Sequence, residues 1–497
     1  MKVECGREWL RRSLRWVAGC VVVLAVALPG VADEGMFPIS ELERLDLARH
    51  GLRLKPSDIF SADEVCLVDG ICRVNGCTGS FVSPNGLIIT NHHCAYDAIQ
   101  NASSVEHDYL QDGFQARTLG EEIPAKGYTV RVTESFRDVS AEVLSAVHEE
   151  MNFADRSRAI DKRRKELEQQ AERDHPGLRA EVAEMFLGKT YVLFLYTYLK
   201  DIRLVFAPPS SVGNFGGEVD NWHWPRHTGD FSFMRAYVAP DGSSADYAPQ
   251  NVPYHPKRVI AVAPQGVNEG DFVMLLGYPG RTVRHQTSHF VRYEQDVRLP
   301  YVVDVYTWAI RAMEAAGAED RAVALKHAAT IRGLANVEKR SRGQLLGLRR
   351  AGILAAREAE EQKLQAFIAA DPNRAARFGK LLDELAAVYR DQAASASYEL
   401  NLGSLRGLSK LFGIAFTIYD AAMERQKPDL ERESPYMDRN FDQTVQRLQL
   451  ALDELHVATD KLLTAEVLRR LSEAGQAGGP DSPAGYSREL SSKSGPG

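Results

Sequence analysis

The sequence predicts a multidomain β plus α protein, and three observations carry that reading. Short β-type runs bounded by turn residues crowd residues 74–280, and a helix-rich stretch without proline separates Pro300 from Pro372. The third is the composition, 44% hydrophobic, 26% charged and 8% aromatic, which is that of an ordinary folded soluble chain. A length of 497 residues leaves room for about three domains and a sizeable core. The formal net charge is −7; residues 1–32 hold five basic and two acidic side chains, so the remainder carries −10. Without a basic excess, nucleic acid is not the expected partner.

Residues 1–32 read as a secretory leader. Lys2, Arg7, Arg11, Arg12 and Arg15 precede an apolar run from Trp16 to Leu28, too short for a spanning helix, and Pro29-Gly30-Val31-Ala32 supplies small residues before a cut near Asp33. Val17-Ala18-Gly19-Cys20 resembles a lipoprotein site only superficially, because the apolar core follows that cysteine, and the surroundings of Arg11-Arg12 fit a twin-arginine signal poorly. A periplasmic or secreted protein with no span in its mature chain is expected.

Residues 33–256 are expected to form a first β domain. Its strands include Gly86-Leu87-Ile88-Ile89-Thr90 after the turn Pro84-Asn85-Gly86, then Tyr128 to Val132, Lys189 to Phe206 and Phe231 to Val238. A helical insertion is expected at about 136–190, where charges crowd Asp155 to Glu181; the mixed-sign run Asp161 to Glu166 reads as a solvated helix face. Residues 257–285, with Arg258 to Val262 and Asp271 to Leu276, read as the start of a second sheet. Residues 286–474 read as an all-α domain with apolar positions such as Leu345, Leu346, Ile353 and Leu354 serving helix packing. Residues 475–497, rich in Gly, Ser and Pro, read as a disordered tail.

Cys5 and Cys20 leave with the leader, and Cys66, Cys72, Cys77 and Cys94 remain, which in an oxidising compartment predicts two disulfides with three connectivities open. Zinc is the other reading of this cluster, since His92, His93 and His107 lie near Cys94, but the spacing matches no common finger.

Two segments carry chemistry. In Gly76 to Cys94 a small-residue strand, a tight turn and an apolar strand lead into Thr90-Asn91-His92-His93-Cys94. This is how chymotrypsin-like barrels present their general base, which places the base at His93, with His92 the less favoured choice. A bridge from the cysteine after the base to the one at the start of the hairpin then favours Cys77–Cys94 and leaves Cys66–Cys72 as a local loop. In the second segment, Gly213 to Ser232, polar and aromatic groups are packed densely, and Asp230 opens a β-type run, as a triad carboxylate must to hold an imidazole Nδ1–H rigidly. His223 and His227 allow a metal reading, but Pro225 argues against the helix that would carry them.

Together these segments resemble the bacterial dipeptidyl-peptidase seven and eleven group, chymotrypsin-like serine exopeptidases with an inserted helical domain. The resemblance runs from about Met36 to about Ser472 through Thr90 to Cys94, Asp112-Gly113-Phe114, Asn221-Trp222 and Trp224 to Asp230. It implies a chymotrypsin-like double β-barrel, His93 as base with Asp230 as its orienting partner, and oligopeptide substrates; a homodimer is allowed. It further implies that Asn221, Trp222, Arg226 and, from the helical domain, Asn336 bind the substrate amino terminus. An exopeptidase needs such a fixed end-wall, and an amide oxygen, a carboxylate or an aromatic face can hold an ammonium group there. No cofactor or metal is called for.

In the group the serine lies in a Gly-Asn-Ser-Gly-Ser-Pro-like turn downstream of the helical domain. Here Gly479 to Pro483 and Lys493 to Pro496 share letters with it but lack a preceding strand. The chain is therefore expected to be a truncated dipeptidyl-peptidase with its second barrel incomplete and its nucleophile missing; the alternative is a non-catalytic protein that binds peptide amino termini.

Overall fold

The computed structural model describes residues 36–280, 283 and 286–477; the leader and most of the predicted tail lie outside them. Residues 1–56 and 57–497 separate into two compact units. In the first, the described part holds one short 3-10 segment, Ile39–Arg44.

The second unit contains an eleven-stranded antiparallel sheet. Strands β1 (Ile71–Val74) and β2 (Cys77–Phe81) are joined by Asn75-Gly76, with Asn75 at φ 50°, the left-handed conformation that two-residue hairpins require. Between β2 and β3 (Leu87–Thr90), Gly86 turns at φ 68°, and a Cβ there would lie 2.7 Å from the Tyr254 carbonyl oxygen, so only glycine fits. Strands β4 (Phe114–Gln115), β5 (Ile123–Pro124), β6 (Val130–Asp138), β7 (Leu178–Phe186), β8 (Thr190–Leu199), β9 (Asp201–Ala207), β10 (Ser232–Val238) and β11 (Val252–Pro253) complete it. Pairing runs β9-β10-β3-β2-β1-β6-β8, and β8 continues into β9 through Lys200, so the path returns to its own starting strand and wraps the sheet around a core. Phe81, Ile88, Val130, Leu199, Ile202, Leu204 and Met234 fill that core, each almost wholly buried.

Helix α1 (His92–Ala102) follows β3 directly and buries Ala95, Ala98 and Ile99 against this core. Helix α2 (Phe153–Asp174) packs Leu167 and Ala171 on β7 and β8. The helical insertion is shorter than expected, because β6 runs on to Asp138 and β7 begins at Leu178. The helical region holds α3 (Leu299–Gly317), α4 (Arg321–Arg350), α5 (Leu381–Leu408) and α6 (Val457–Ala477) among its longest helices. Val305, Ala309 and Met313 of α3, Leu405 and Leu408 of α5, and Leu463 and Val467 of α6 make their common core. Helix α6 extends to Ala477, so residues 475–477, expected in the tail, are helical.

Two expectations are corrected. Residues 258–262 and 271–276 form no strands: the Ile260 N–H donates to the Phe81 carbonyl (2.8 Å), but no ladder partner follows among the described residues. Extended chain becomes a strand only when a neighbour completes its hydrogen bonds, and Val262, Val273 and Leu275 stay exposed here. The described residues hold one sheet, and those among 257–285 add no strand to a second one. Second, Cys77 and Cys94 are bonded, whereas Cys66 and Cys72 are free, buried thiols. Cys72 is on β1 and points into the sheet core, and the Cys66 thiol faces the Asp69 carboxylate (3.4 Å).

Candidate active site

Register builds the first half of the site. Ser232 of β10 pairs with Thr90 of β3, so Asp230, two residues before the one, is brought level with the residues just after the other. The Asp230 carboxylate holds His93 twice: Oδ1 accepts the backbone N–H of His93 (2.9 Å) and Oδ2 lies 2.7 Å from ring Nδ1. Asn91 adds a bond from Nδ2 to the Asp230 carbonyl oxygen (3.1 Å). The carboxylate thereby caps the amino-terminal end of α1, where the helix dipole favours negative charge. Burial works to raise the Asp230 pKa, but the two bonds from His93 and the charge of Arg332 outweigh it and bring it down to about 2. The imidazole is thus oriented with Nδ1–H toward a charged acceptor, and among the described residues no hydrogen bond engages Nε2, the nitrogen left to take a proton.

His92 is wholly buried, and neither of its ring nitrogens has a hydrogen-bond partner among the described residues. Burial, with the nearby Arg332 charge, lowers its pKa to about 4. It is a neutral packing residue, and His93 is the histidine that faces Asp230.

The second half sits where the segment after β9 meets α4. Asn336 of α4 accepts at Oδ1 from Asn221 Nδ2 (3.1 Å) and from Trp222 Nε1 (3.0 Å). Asn221 Nδ2 also donates to Glu218 Oε2 (3.0 Å), and Arg226 reaches both Thr228 Oγ1 (2.9 Å) and Asn221 Oδ1 (3.4 Å). All four residues expected at an amine pocket are therefore joined, with Trp222 largely exposed and the Glu218 carboxylate beside them. His223 and His227 join no group of three potential metal ligands among the described residues; the one such group is Cys77, His93 and Cys94, whose sulfurs are bonded to each other and offer no thiolate.

Sequence reasoning missed Arg332. Its guanidinium lies over the Tyr96 ring, 4.6 Å from the centroid, and its charge acts on Asp230, His92 and Glu218. The signal available was spacing: Arg332, Asn336 and Lys339 fall on one face of a helix.

Fold and site together set a histidine–aspartate pair at the end of β3 and β10 and link Asn221, Trp222, Arg226 and Asn336 into one acceptor-rich group. The chain belongs to the peptidase S46 family, whose model matches residues 32–489. It is 39% identical over 383 residues to a dipeptidyl-peptidase 7 of Capnocytophaga gingivalis, an alignment covering 75% of this chain and 53% of that protein. An Asp/Glu-specific dipeptidyl-peptidase of the same organism is 34% identical, over 72% of this chain and 50% of that protein. The chain thus spans about half the length of these curated relatives. The crystal structure of Porphyromonas endodontalis DPP11 in complex with the dipeptide Arg-Glu superposes with a TM-score of 0.73 at 29% identity, covering 89% of this chain and 64% of that one. Among the described residues no helix is long and apolar enough to cross a membrane.

Proposed function

We propose that this chain carries the base, the orienting carboxylate and the amine pocket of a serine-type dipeptidyl-peptidase that releases dipeptides from peptide amino termini in the periplasm or outside the cell. The wrapped sheet is the first of two chymotrypsin-like barrels, and the nucleophile and oxyanion donors come from a part not contained in residues 36–477. The observation that carries the reading is the pair His93 Nδ1 to Asp230 Oδ2 at 2.7 Å, with Nε2 unengaged, in a chain that also presents the linked Asn221, Trp222 and Asn336 group. His93 Nε2 takes the proton of the attacking hydroxyl while Asp230 stabilises the imidazolium that forms, and His93 returns the proton to the leaving amine.

A substrate ammonium has three N–H donors and seeks acceptors. The Glu218 carboxylate supplies them, Asn336 Oδ1 joins it when the ammonium displaces one of the two donors it now holds, and the exposed Trp222 supplies an aromatic face. The backbone of the first two substrate residues then spans the distance to the base, so cleavage falls after the second. The test is NMR titration of the chain with Ala-Phe and with N-acetyl-Ala-Phe. Only the free amine should produce saturable shifts, and Asn336→Ala should abolish them; equal binding of the acetylated peptide rejects the pocket assignment.

A further inference from the structure

One face of α4 touches the rest of the site along most of its length. Arg321 Nε donates to Asp108 Oδ2 (2.6 Å), Leu325 and Ala328 enter the sheet core, and the Ala329 N–H donates to Gln100 Oε1 (2.6 Å). Arg332 then lies over Tyr96, Asn336 receives Asn221 and Trp222, and Lys339 Nζ donates to the Val219 carbonyl (2.6 Å). Steps of three and four residues keep all these contacts on one stripe.

Two of the partners, Tyr96 and Gln100, are on α1, three and seven residues beyond His93 and hence on one face with it. The helix bearing the base and the helix bearing Asn336 are therefore in direct contact. A mid-helix N–H ordinarily answers only the carbonyl four residues back, so a side-chain acceptor at 2.6 Å is a specific anchor. Gln100 is 5% exposed and uses both ends of its amide, since Nε2 donates to Glu454 Oε1 (3.3 Å), itself paired with Lys410 (2.5 Å). Burying that amide without these partners would be unfavourable.

We propose that Tyr96, Gln100 and Arg332 form a clamp that sets how far the amine pocket stands from the base, so that Gln100 and Arg332 are positioning residues for the length of peptide the site reads. This rests on the amine-pocket reading above. A free dipeptide then engages both ends at once, its ammonium at Asn336 and Glu218 and its carboxylate accepting from His93 Nε2–H in the protonated ring, while a tripeptide cannot satisfy both.

The experiment is calorimetric or NMR titration of the chain at pH 6 with Ala-Phe, Ala-Ala-Phe and N-acetyl-Ala-Phe. Wild type should bind Ala-Phe about tenfold tighter than Ala-Ala-Phe, the gain expected when two linked ends bind together. Gln100→Leu and Arg332→Gln should each erode that length preference to about threefold or less while still rejecting the acetylated peptide, and Arg332→Lys, which keeps the cation, should restore it. A length preference unchanged in both variants overturns the clamp, as does a wild type that reads the free amine without reading length. Loss of both discriminations together, not recovered by Arg332→Lys, also overturns it, because that is the signature of general collapse. Failure of wild type to distinguish Ala-Phe from its acetylated form would instead strike the amine pocket itself.

Discussion

Gly213 lies against the ring of His92 so closely that a Cβ built on the glycine would stand 2.6 Å from Cδ2 and 2.7 Å from Cγ. The ring cannot retreat, because it is wholly buried and meets the Tyr96 ring edge-on at 5.8 Å between centroids. This contact packs the first turn of α1 against the short helix Ser210–Gly213. Gly213→Ala should therefore destabilise the protein by about 1–3 kcal/mol through overpacking. Pairing it with His92→Ala should recover part of that loss, as coupled neighbours do, and urea denaturation of the three variants measures it.

Two buried histidines make stability depend on pH. His92 is held down to about 4 by burial and by Arg332, and His327 of α4 to about 4 by burial and by His456 and the lysines Lys410 and Lys326. Each folded value lies below the unfolded value near 6.5, so the unfolded chain binds the proton first. The stability contribution is complete above pH ~6.5 and is lost as pH falls toward about 4, at most about 3 kcal/mol for each group. Urea midpoints should fall across this window, and replacing either histidine with an uncharged residue should make the fall shallower.

Asp230 acts in a lower window. Its folded pKa of about 2 lies below the unfolded carboxylate value, so its contribution is present above pH ~3.9 and disappears as pH drops through about 2. The amount is about 2 kcal/mol. The stability difference between wild type and Asp230→Asn, followed by denaturation from pH 5 to 2, should shrink steadily; a constant difference would contradict the pairing with His93.

The Cys77–Cys94 bridge closes a loop with a sequence separation of 17 residues. By loop entropy it should contribute about 3 kcal/mol, visible as a lower melting temperature in reductant or in Cys77→Ser/Cys94→Ser. Alkylation followed by peptide mapping should label Cys66 and Cys72 only after unfolding, with no reductant needed.

The parts of this molecule legible in its sequence are those written in local patterns. A hairpin ending in Thr-x-x-His and a β-type run opening on Asp230 located the His93–Asp230 pair, because both lie within three residues of strands whose pairing is encoded by alternation and turns. The helices were legible from composition and the missing prolines. Side-chain direction was not: Cys66 and Cys72 are close in sequence, yet Cys72 faces the sheet core and cannot turn toward its neighbour. The run 258–276 has strand composition without a partner to complete it among the described residues, and strand formation depends on that partner. Arg332 and Gln100 were invisible because their roles arise only when two helices far apart in sequence meet.

The stripe of α4 that meets the sheet and Asn221–Trp222 ties this stretch of chain to its reading frame. A residue inserted or deleted between Arg321 and Asn336 would rotate everything downstream by about 100° and shift it by about 1.5 Å along the axis. Asn336 would then swing off the face that meets Trp222, although no contacting residue had been altered. The opposite face is packed as well, with Val323, His327 and Ser341 buried there, so a length change would break two sets of contacts at once and this segment is expected to keep its residue count among descendants.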